Sequence, residues 1–242
     1  TVKLIKRLTT ARIFNYAEQE GMIKISHKSL RTAITICRAR VKEKTGNLKL
    51  FYDSILSCVE PSPDKVDKFN RIHNAILALR ARFYITTNID LGAEQNIEEN
   101  QLKKRQFVNL TNTSDLETRQ SENGFVRKTD LILDLTKNEN VFYLHGTKTL
   151  MDFSIFSDEN YHDFYNNDYI GEFLKEIFSG KYTFLFLGYS LSDHEILTNI
   201  FTRLKKEYKG EIRHYSLIPA YASELNDLTL EKEYLNIYSI QP

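Results

Sequence analysis

The stretch that decides the fold is YTFLFLGYSLSDHEIL, residues 182–197. It begins with the most apolar run of the protein, Tyr182–Leu187, which predicts a central strand covered on both faces. The small residues after this run predict a turn. Ser192 and Glu195 then form the S-x-x-E pattern of a helix start, and apolar residues at helical spacing predict a helix over Ser192–Tyr208. A strand, a tight turn and a helix in this order are typical of a parallel α/β sheet.

Strands and helices alternate through much of the chain, and the first third is mainly helical. The other predicted strands are Phe83–Thr86, Gln106–Leu110, Val141–Leu144, His214–Ile218 and Ile237–Ile240. The other predicted helices are Lys3–Glu20, Ser29–Lys44, Leu48–Val59, Lys65–Leu79, Leu91–Gln101 and Asp163–Ser179. The polar stretch Thr111–Asn140 predicts a long surface excursion. We therefore expect a single domain, with a helical layer over residues 1–80 and a sheet core over residues 81–242.

Composition excludes several classes of protein. The chain has 242 residues and a formal net charge of +1, so it has no bulk electrostatic attraction to nucleic acid or anionic membranes. No apolar window reaches the roughly 18 residues of a transmembrane helix. The two cysteines, Cys37 and Cys58, are too few for a disulfide framework or an all-cysteine zinc site. No secretory signal heads the sequence, so we expect a cytoplasmic protein without direct nucleic-acid or membrane binding.

Polar or small residues follow three of the predicted strands directly. They are the segments Thr86–Asp90, His145-Gly146 and Gly188–Asp193. In an open parallel sheet, ligands bind outside the carboxyl ends of the strands. We therefore expect one crevice lined by the polar residues of these ends: Asn88, Asp90, His145, Ser190 and Asp193.

Each of these signals also has a simpler structural interpretation. Asn88 and Asp90 are typical turn residues, because their side chains bond to the nearby backbone. His145 could be a histidine at the edge of the core, with Gly146 only permitting the turn, and Ser190–Asp193 could be only a helix cap. The shared position of the three segments at strand ends favours a functional site over three separate turns.

Taken together and in this order, Thr86–Asp90, Leu144–Gly146 and Phe186–Asp193 resemble the motifs of sirtuin-like domains. They are more similar to the bacterial sirtuin-like NAD hydrolases of antiphage defence than to protein deacetylases. Arg71–Ile76 and Ser157–Tyr165 resemble the same group, so the resemblance extends over roughly Phe69 to Ile218. It implies a Rossmann-like parallel sheet with an N-terminal helical layer.

The resemblance implies roles for individual residues. Asn88 would hold the nicotinamide ribose or the attacking water, and His145 would be the general base. Asp90 would organise the nicotinamide pocket, while Gly188 and Ser190 would line the adenosine and phosphate side. The other residues expected to contact NAD are Thr86, Thr87, Gly146 and Asp193. The implied activity is an NAD⁺ glycohydrolase that releases nicotinamide and ADP-ribose, with NAD⁺ as substrate and no further cofactor.

The sequence departs from the sirtuin pattern at two places. Sirtuin-like folds open with a strand and a Gly-rich loop that cradles the diphosphate, whereas Thr1–Glu20 contains no glycine. Because both ends of the sequence look cut, we expect that first strand and loop upstream, in a longer protein; the alternative is a chain that lacks a phosphate loop. The span between the first and last motifs contains no cysteine, so we expect no zinc module and no peptide deacetylation.

The implied activity also predicts partners. An enzyme that empties the NAD pool must be held inactive until it is triggered, so we expect a regulatory partner or a C-terminal sensor region, and a homo-oligomer. Two alternatives remain: a catalytically silent nucleotide-binding or assembly module, and a sensor of an ADP-ribose derivative. We interpret Tyr161, Tyr165 and Tyr169 as residues at the edge of the core or at an interface.

Overall fold

The computed structural model describes residues 2–89, 107–111, 140–148, 151, 154–178, 182–188, 214–217, 233 and 240–241. The chain divides into two compact units, Thr1–Phe164 and Tyr165–Pro242. The predicted helices Leu91–Gln101 and Ser192–Tyr208, and most of the polar stretch 111–140, lie outside the described residues.

Five helices form the N-terminal layer of the first unit. They are α1 (Val2–Thr10), α2 (Tyr16–Lys28), α3 (Leu30–Thr45), α4 (Lys49–Val59) and α5 (Val66–Ala78), with a short 3₁₀ turn, Pro63–Lys65, before α5. Fully buried apolar side chains from α1, α3 and α4 meet in one core: Ile5, Leu8, Cys37, Val41 and Phe51. Among the described helices, none is both long enough and apolar enough for a membrane crossing.

Three of the predicted N-terminal helices are confirmed, and α3 shows why. Its N-terminus is capped by Ser29, whose hydroxyl accepts from the backbone N–H of Thr32 over 3.2 Å. Its C-terminus is closed by Gly46, which takes the left-handed conformation at φ 73°. Both signals are local, so they are legible in the sequence.

The predicted single helix Lys3–Glu20 is wrong, because the chain turns between α1 and α2. Arg12 takes a positive φ of 62°. Ile13 and Phe14, which follow it in the segment that connects the two helices, are buried. Asn15 then starts α2 with a capping box: its side chain accepts from the N–H of Glu18, whose carboxylate accepts from the N–H of Asn15. Gly21, the residue after the end of the predicted helix, lies inside α2.

A parallel sheet of three strands follows the helical layer in the first unit. Its strands are β1 (Tyr84–Thr86), β2 (Phe107–Asn109) and β3 (Val141–Tyr143), in the order β1-β3-β2. Thr86 and Asn109 are both register partners of Tyr143, so the three strands end at the same level. The three predicted strands are confirmed, and β3 is the buried central one.

The predicted helix Asp163–Ser179 is two helices, α6 (Asp158–Tyr165) and α7 (Asp168–Phe178). Ser157 caps α6, because its hydroxyl accepts from the N–H of Asn160 over 3.3 Å. The carbonyl of Asn167 accepts from the N–H of Gly171 over 3.0 Å and so begins α7. The residues between the two helices, Asn166 and Asn167, are poor helix formers, and the break lies there.

The second unit contains its own parallel sheet among the described residues. Its strands are β4 (Leu185–Leu187), β5 (His214–Leu217) and β6 (Ile240–Gln241), in the order β4-β5-β6. The prediction that the Tyr182–Leu187 run is covered on both faces is wrong: no residue of β4 is buried, and Leu185 is 52% exposed. An apolar run predicts that a segment forms a strand, whereas the burial of that strand depends on which elements pack against its two faces. All four described strand pairs of the protein are parallel, and the fold is mixed α/β and Rossmann-like.

Candidate active site

The first part of the site is the turn that leaves β1. Thr86 ends the strand, and its hydroxyl accepts from the backbone N–H of Asn88 over 3.0 Å. This bond closes a tight turn and leaves the Asn88 side chain exposed. The next residue, Ile89, is buried in the core of the helical layer, and this contact holds the turn against that core. Thr87 is half-buried between them.

The second part is the turn that leaves β3. His145 follows the strand after Leu144, and its carbonyl accepts from the N–H of Ile155 over 2.9 Å. Only 5% of the His145 surface is exposed. A histidine this deeply covered is shielded from bulk water.

Two backbone hydrogen bonds join these turns. The N–H of Leu144 donates to the carbonyl of Thr86 over 2.9 Å, and the N–H of Lys148 donates to the carbonyl of Ile89 over 2.8 Å. Asn88 therefore lies between two residues that are bonded to the β3 exit. Asn88 and His145 therefore follow neighbouring strands, on two turns joined at one edge of the sheet.

Gly146 permits the close packing of the β3 turn. It has a φ of 93°, which side chains other than glycine rarely adopt. A Cβ on this residue would also lie 2.5 Å from Ser154 Oγ and 2.7 Å from Ser154 Cα. Ser154 in turn donates its hydroxyl to the carbonyl of Thr147 over 3.3 Å. The small residue after His145 is thus a requirement of the local backbone and of its neighbour.

Aromatic residues of α6 cover the His145 ring. The phenol oxygen of Tyr161 lies 3.4 Å from Nδ1 of His145, and the two rings meet edge to face at a centroid distance of 4.9 Å. Phe164 contacts the ring from further along α6, at 6.5 Å between centroids. These contacts restrict the orientations open to the imidazole.

A third polar residue at this edge, Asn109, was missed by the sequence reasoning. It ends β2 opposite Tyr143 and is 9% exposed. Its Oδ1 accepts from both the N–H and the hydroxyl of Thr111, over 3.1 and 2.8 Å. Among the described residues its Nδ2 has no hydrogen-bond partner, so it remains a donor for another group. The sequence does contain a signal for it: an asparagine lies at the end of the weak predicted strand Gln106–Leu110, much as Asn88 lies just after the strand Phe83–Thr86.

The remaining predicted site residues are not part of this edge as described. Gly188 lies in the second unit, directly after β4, with a φ of 61° and open space where a Cβ would stand. Asp90, Ser190 and Asp193 lie outside the described residues.

Among the described residues, two titratable groups away from this edge have large pKa shifts. Burial lowers the pKa of His214 to about 4 in the second unit, where Phe178, Phe184 and Phe186 surround the ring and its Nδ1 accepts from the N–H of Phe184 over 3.2 Å. Burial also raises the pKa of the Cys37 thiol to about 12, so Cys37 is a neutral residue of the helical core. Within the described part of the chain, no group of three His, Cys, Asp or Glu residues could hold a metal ion.

Comparison with known families agrees with the motifs at the two turns. The family described as SIR2-like domain matches residues 82–242, about two thirds of the chain. The match begins just before β1 and includes both turns, whereas helices α1–α5 precede it. No curated protein shows significant similarity to the chain. The predicted sirtuin-like fold is confirmed, and the chain belongs to the SIR2-like domain family.

Proposed function

We propose that this SIR2-like domain hydrolyses NAD⁺ to nicotinamide and ADP-ribose. The observation that supports the proposal is that the turns carrying Asn88 and His145 leave neighbouring strands at one sheet edge, where the Leu144–Thr86 and Lys148–Ile89 backbone bonds join them. An amide and an imidazole on these two turns supply the two kinds of group that the reaction needs. The family match is consistent with an NAD-dependent enzyme.

The chemistry needs few catalytic groups because nicotinamide leaves NAD⁺ as a neutral molecule. The bond from C1′ of the ribose to the nicotinamide nitrogen breaks, and its electron pair goes to that nitrogen. The resulting transition state resembles an oxocarbenium ion, as in glycoside hydrolysis. A water oxygen then bonds to C1′, and one proton of this water must go to a base.

His145 is the proposed base and Asn88 the proposed positioning group. An imidazole has an unperturbed pKa of about 6.5 and is suited to accept this proton near neutral pH. The Asn88 amide can hydrogen-bond to the ribose or the water without adding charge beside a developing cation. Thr86, Thr87 and Gly146 are proposed to contact the substrate at the same edge, and Asp90, Gly188, Ser190 and Asp193 are proposed to complete its binding.

The biological setting is part of the proposal. The resemblance to NAD hydrolases of bacterial antiphage defence favours a cytoplasmic effector that depletes NAD when triggered. Depletion of NAD without a trigger would harm the cell, so we propose control by a regulatory partner or a further region. We also propose assembly into homo-oligomers. We propose NAD⁺ as the substrate, with no zinc and no other cofactor.

The test is nicotinamide release from NAD⁺ by the full-length protein and by variants of the two residues in it. Asn88→Ala and His145→Ala should each lower turnover, His145→Ala by about 10²–10⁴-fold, the usual contribution of a general base. Because His145 is buried, His145→Gln is the second variant, since it keeps a side chain of similar size. His27→Ala, at an exposed histidine of α2, is the matched control and should keep full turnover. Full turnover in both Asn88→Ala and His145→Gln would overturn the site.

A second candidate function is a catalytically silent module that binds NAD or an ADP-ribose derivative. One observation favours it: His145 is only 5% exposed. This alternative predicts no nicotinamide release together with a higher Tm in the presence of NAD⁺ or ADP-ribose. The enzymatic proposal predicts release.

A further inference from the structure

Tyr161 holds a position next to His145 that the sequence does not reveal. Its phenol oxygen lies 3.4 Å from Nδ1, and its ring packs edge to face on the imidazole. A contact at Nδ1 is linked to the tautomer of the ring, because a neutral imidazole has one N–H and one lone pair, and a phenol oxygen can accept from the first or donate to the second. Tyr161 is therefore placed to bias the tautomer of His145.

Tyr161 is held from its other side by the helical layer. The guanidinium carbon of Arg31, on α3, lies 4.1 Å from the centroid of the Tyr161 ring, which is cation–π geometry. The contact is part of a longer seam between α3 and α6. Along this seam the N–H of Asp158 donates to the hydroxyl of Thr35 over 3.0 Å, and Arg38 pairs with Glu159 at 3.3 Å.

We propose that Tyr161 is a positioning residue for His145, and that Arg31 holds it in place from the N-terminal helical layer. The Tyr161 oxygen accepts from the Nδ1–H of His145, which leaves the lone pair on Nε2. This inference rests on the proposed function, because only this tautomer lets Nε2 accept the proton of the attacking water. The opposite arrangement, with the phenol donating to Nδ1, would occupy Nε2 with a proton.

The inference gives the N-terminal helices a role in catalysis. Arg31 precedes the segment that matches the SIR2-like family, yet it contacts the residue that orients the base. Arg31 acts on the orientation of the Tyr161 ring and does not touch the substrate. Loss of either contact should lower kcat and leave KM nearly unchanged.

Tyr161→Phe tests the hydroxyl, since it keeps the ring and removes only the oxygen. The ¹⁵N spectrum of the imidazoles should show His145 as the Nδ1–H tautomer in the parent and a shift towards Nε2–H in the variant. The kcat for nicotinamide release should fall about tenfold or more, because a wrong tautomer strongly inhibits a histidine that acts as a general base, as in Ser-His-Asp hydrolases. The matched control is Tyr52→Phe, at a half-buried tyrosine of α4, which should change neither reading.

Arg31→Met tests the cation, since methionine keeps much of the apolar stem. It should lower kcat severalfold and increase the share of the Nε2–H tautomer. Glu159→Gln is the matched control because it breaks the Arg38–Glu159 pair of the same seam, where Glu159 is 71% exposed and the pair adds little stability. It should behave as the parent does. Equal effects of Arg31→Met and Glu159→Gln would overturn the role of Arg31.

The two proposals fail in different ways. If the full-length parent releases no nicotinamide, the proposed function fails, and the tautomer of His145 in the parent and in Tyr161→Phe still decides the role of Tyr161. If the parent releases nicotinamide but Tyr161→Phe keeps the parent tautomer and kcat, the inference about Tyr161 fails alone.

Discussion

At the scale of single residues, Gly146 is the position where backbone conformation and packing agree most closely. Its φ of 93° is unfavourable for any side chain, and Ser154 occupies the space that a Cβ would need. The His-Gly pair that is legible in the sequence is therefore a structural unit as well as a part of the candidate site. The glycine fixes how the chain leaves β3, and so where His145 stands.

Gly146→Ala should lower the free energy of unfolding by about 2–4 kcal/mol, because it adds backbone strain to overpacking. Urea unfolding followed by circular dichroism measures the change. Gly171→Ala is the matched control: Gly171 lies inside α7, with nothing within 4 Å of an added Cβ. Alanine there should be neutral or stabilising by up to about 1 kcal/mol. Equal losses in both variants would contradict the interpretation of Gly146.

The site residues differ in how far the sequence revealed them. Asn88 and His145 are legible in the sequence because each lies within two residues of the end of a predicted strand, and chain order alone shows this. Asn109 was missed because its strand is weak and its burial depends on neighbours. Tyr161 was interpreted as a core-edge or interface residue, since its contact with His145 joins positions 16 residues apart on different elements.

At the scale of elements, the break between α1 and α2 shows where periodicity is insufficient. The apolar spacing of residues 3–20 fits one helix, but burial of Ile13 and Phe14 requires the chain to turn. The sequence did contain a local signal for the restart, the N-x-x-E pattern of Asn15 and Glu18. A capping pattern inside an apolar repeat should therefore be given more weight than the repeat itself.

Asn15→Ala should lower the free energy of unfolding by about 1 kcal/mol, the usual cost of losing an N-cap. Thermal and urea unfolding both measure this loss. Glu20→Ala serves as the control on the same helix, because Glu20 is exposed and lies in the helix interior. Its effect should stay within about 0.5 kcal/mol. A loss of the same size in the control would show that the cap is not the cause.

At the scale of the whole molecule, the pH dependence of stability should include a contribution from His214. Its pKa is about 4 in the folded chain and about 6.5 when unfolded, so protons bind the unfolded state first as the pH falls. The fold therefore loses up to roughly 3 kcal/mol between about pH 6.5 and pH 4, and nothing above about pH 7.

The measurement is urea unfolding at about pH 7 and about pH 4, in the parent and in His214→Gln. Glutamine can accept the Phe184 N–H without titrating, so the variant should lose less stability over this range. The exposed His27→Gln should lose as much as the parent. A pH dependence of His214→Gln equal to that of the parent would contradict the buried neutral histidine.

The sequence by itself determined the class of fold and the positions of the strand exits. Strand composition, helix caps and the order of the three motifs are local or sequential properties, and for these the described strands and the family match agree with the prediction.

The tertiary structure alone decided what surrounds those exits. Whether Leu185 is covered, whether Asn109 is buried, and which side chains reach His145 depend on elements distant in sequence. The seam from Arg31 to Tyr161 joins residues 130 positions apart, and a pattern read within one element contains no information about such a contact. Packing selects these neighbours by their shape and charge.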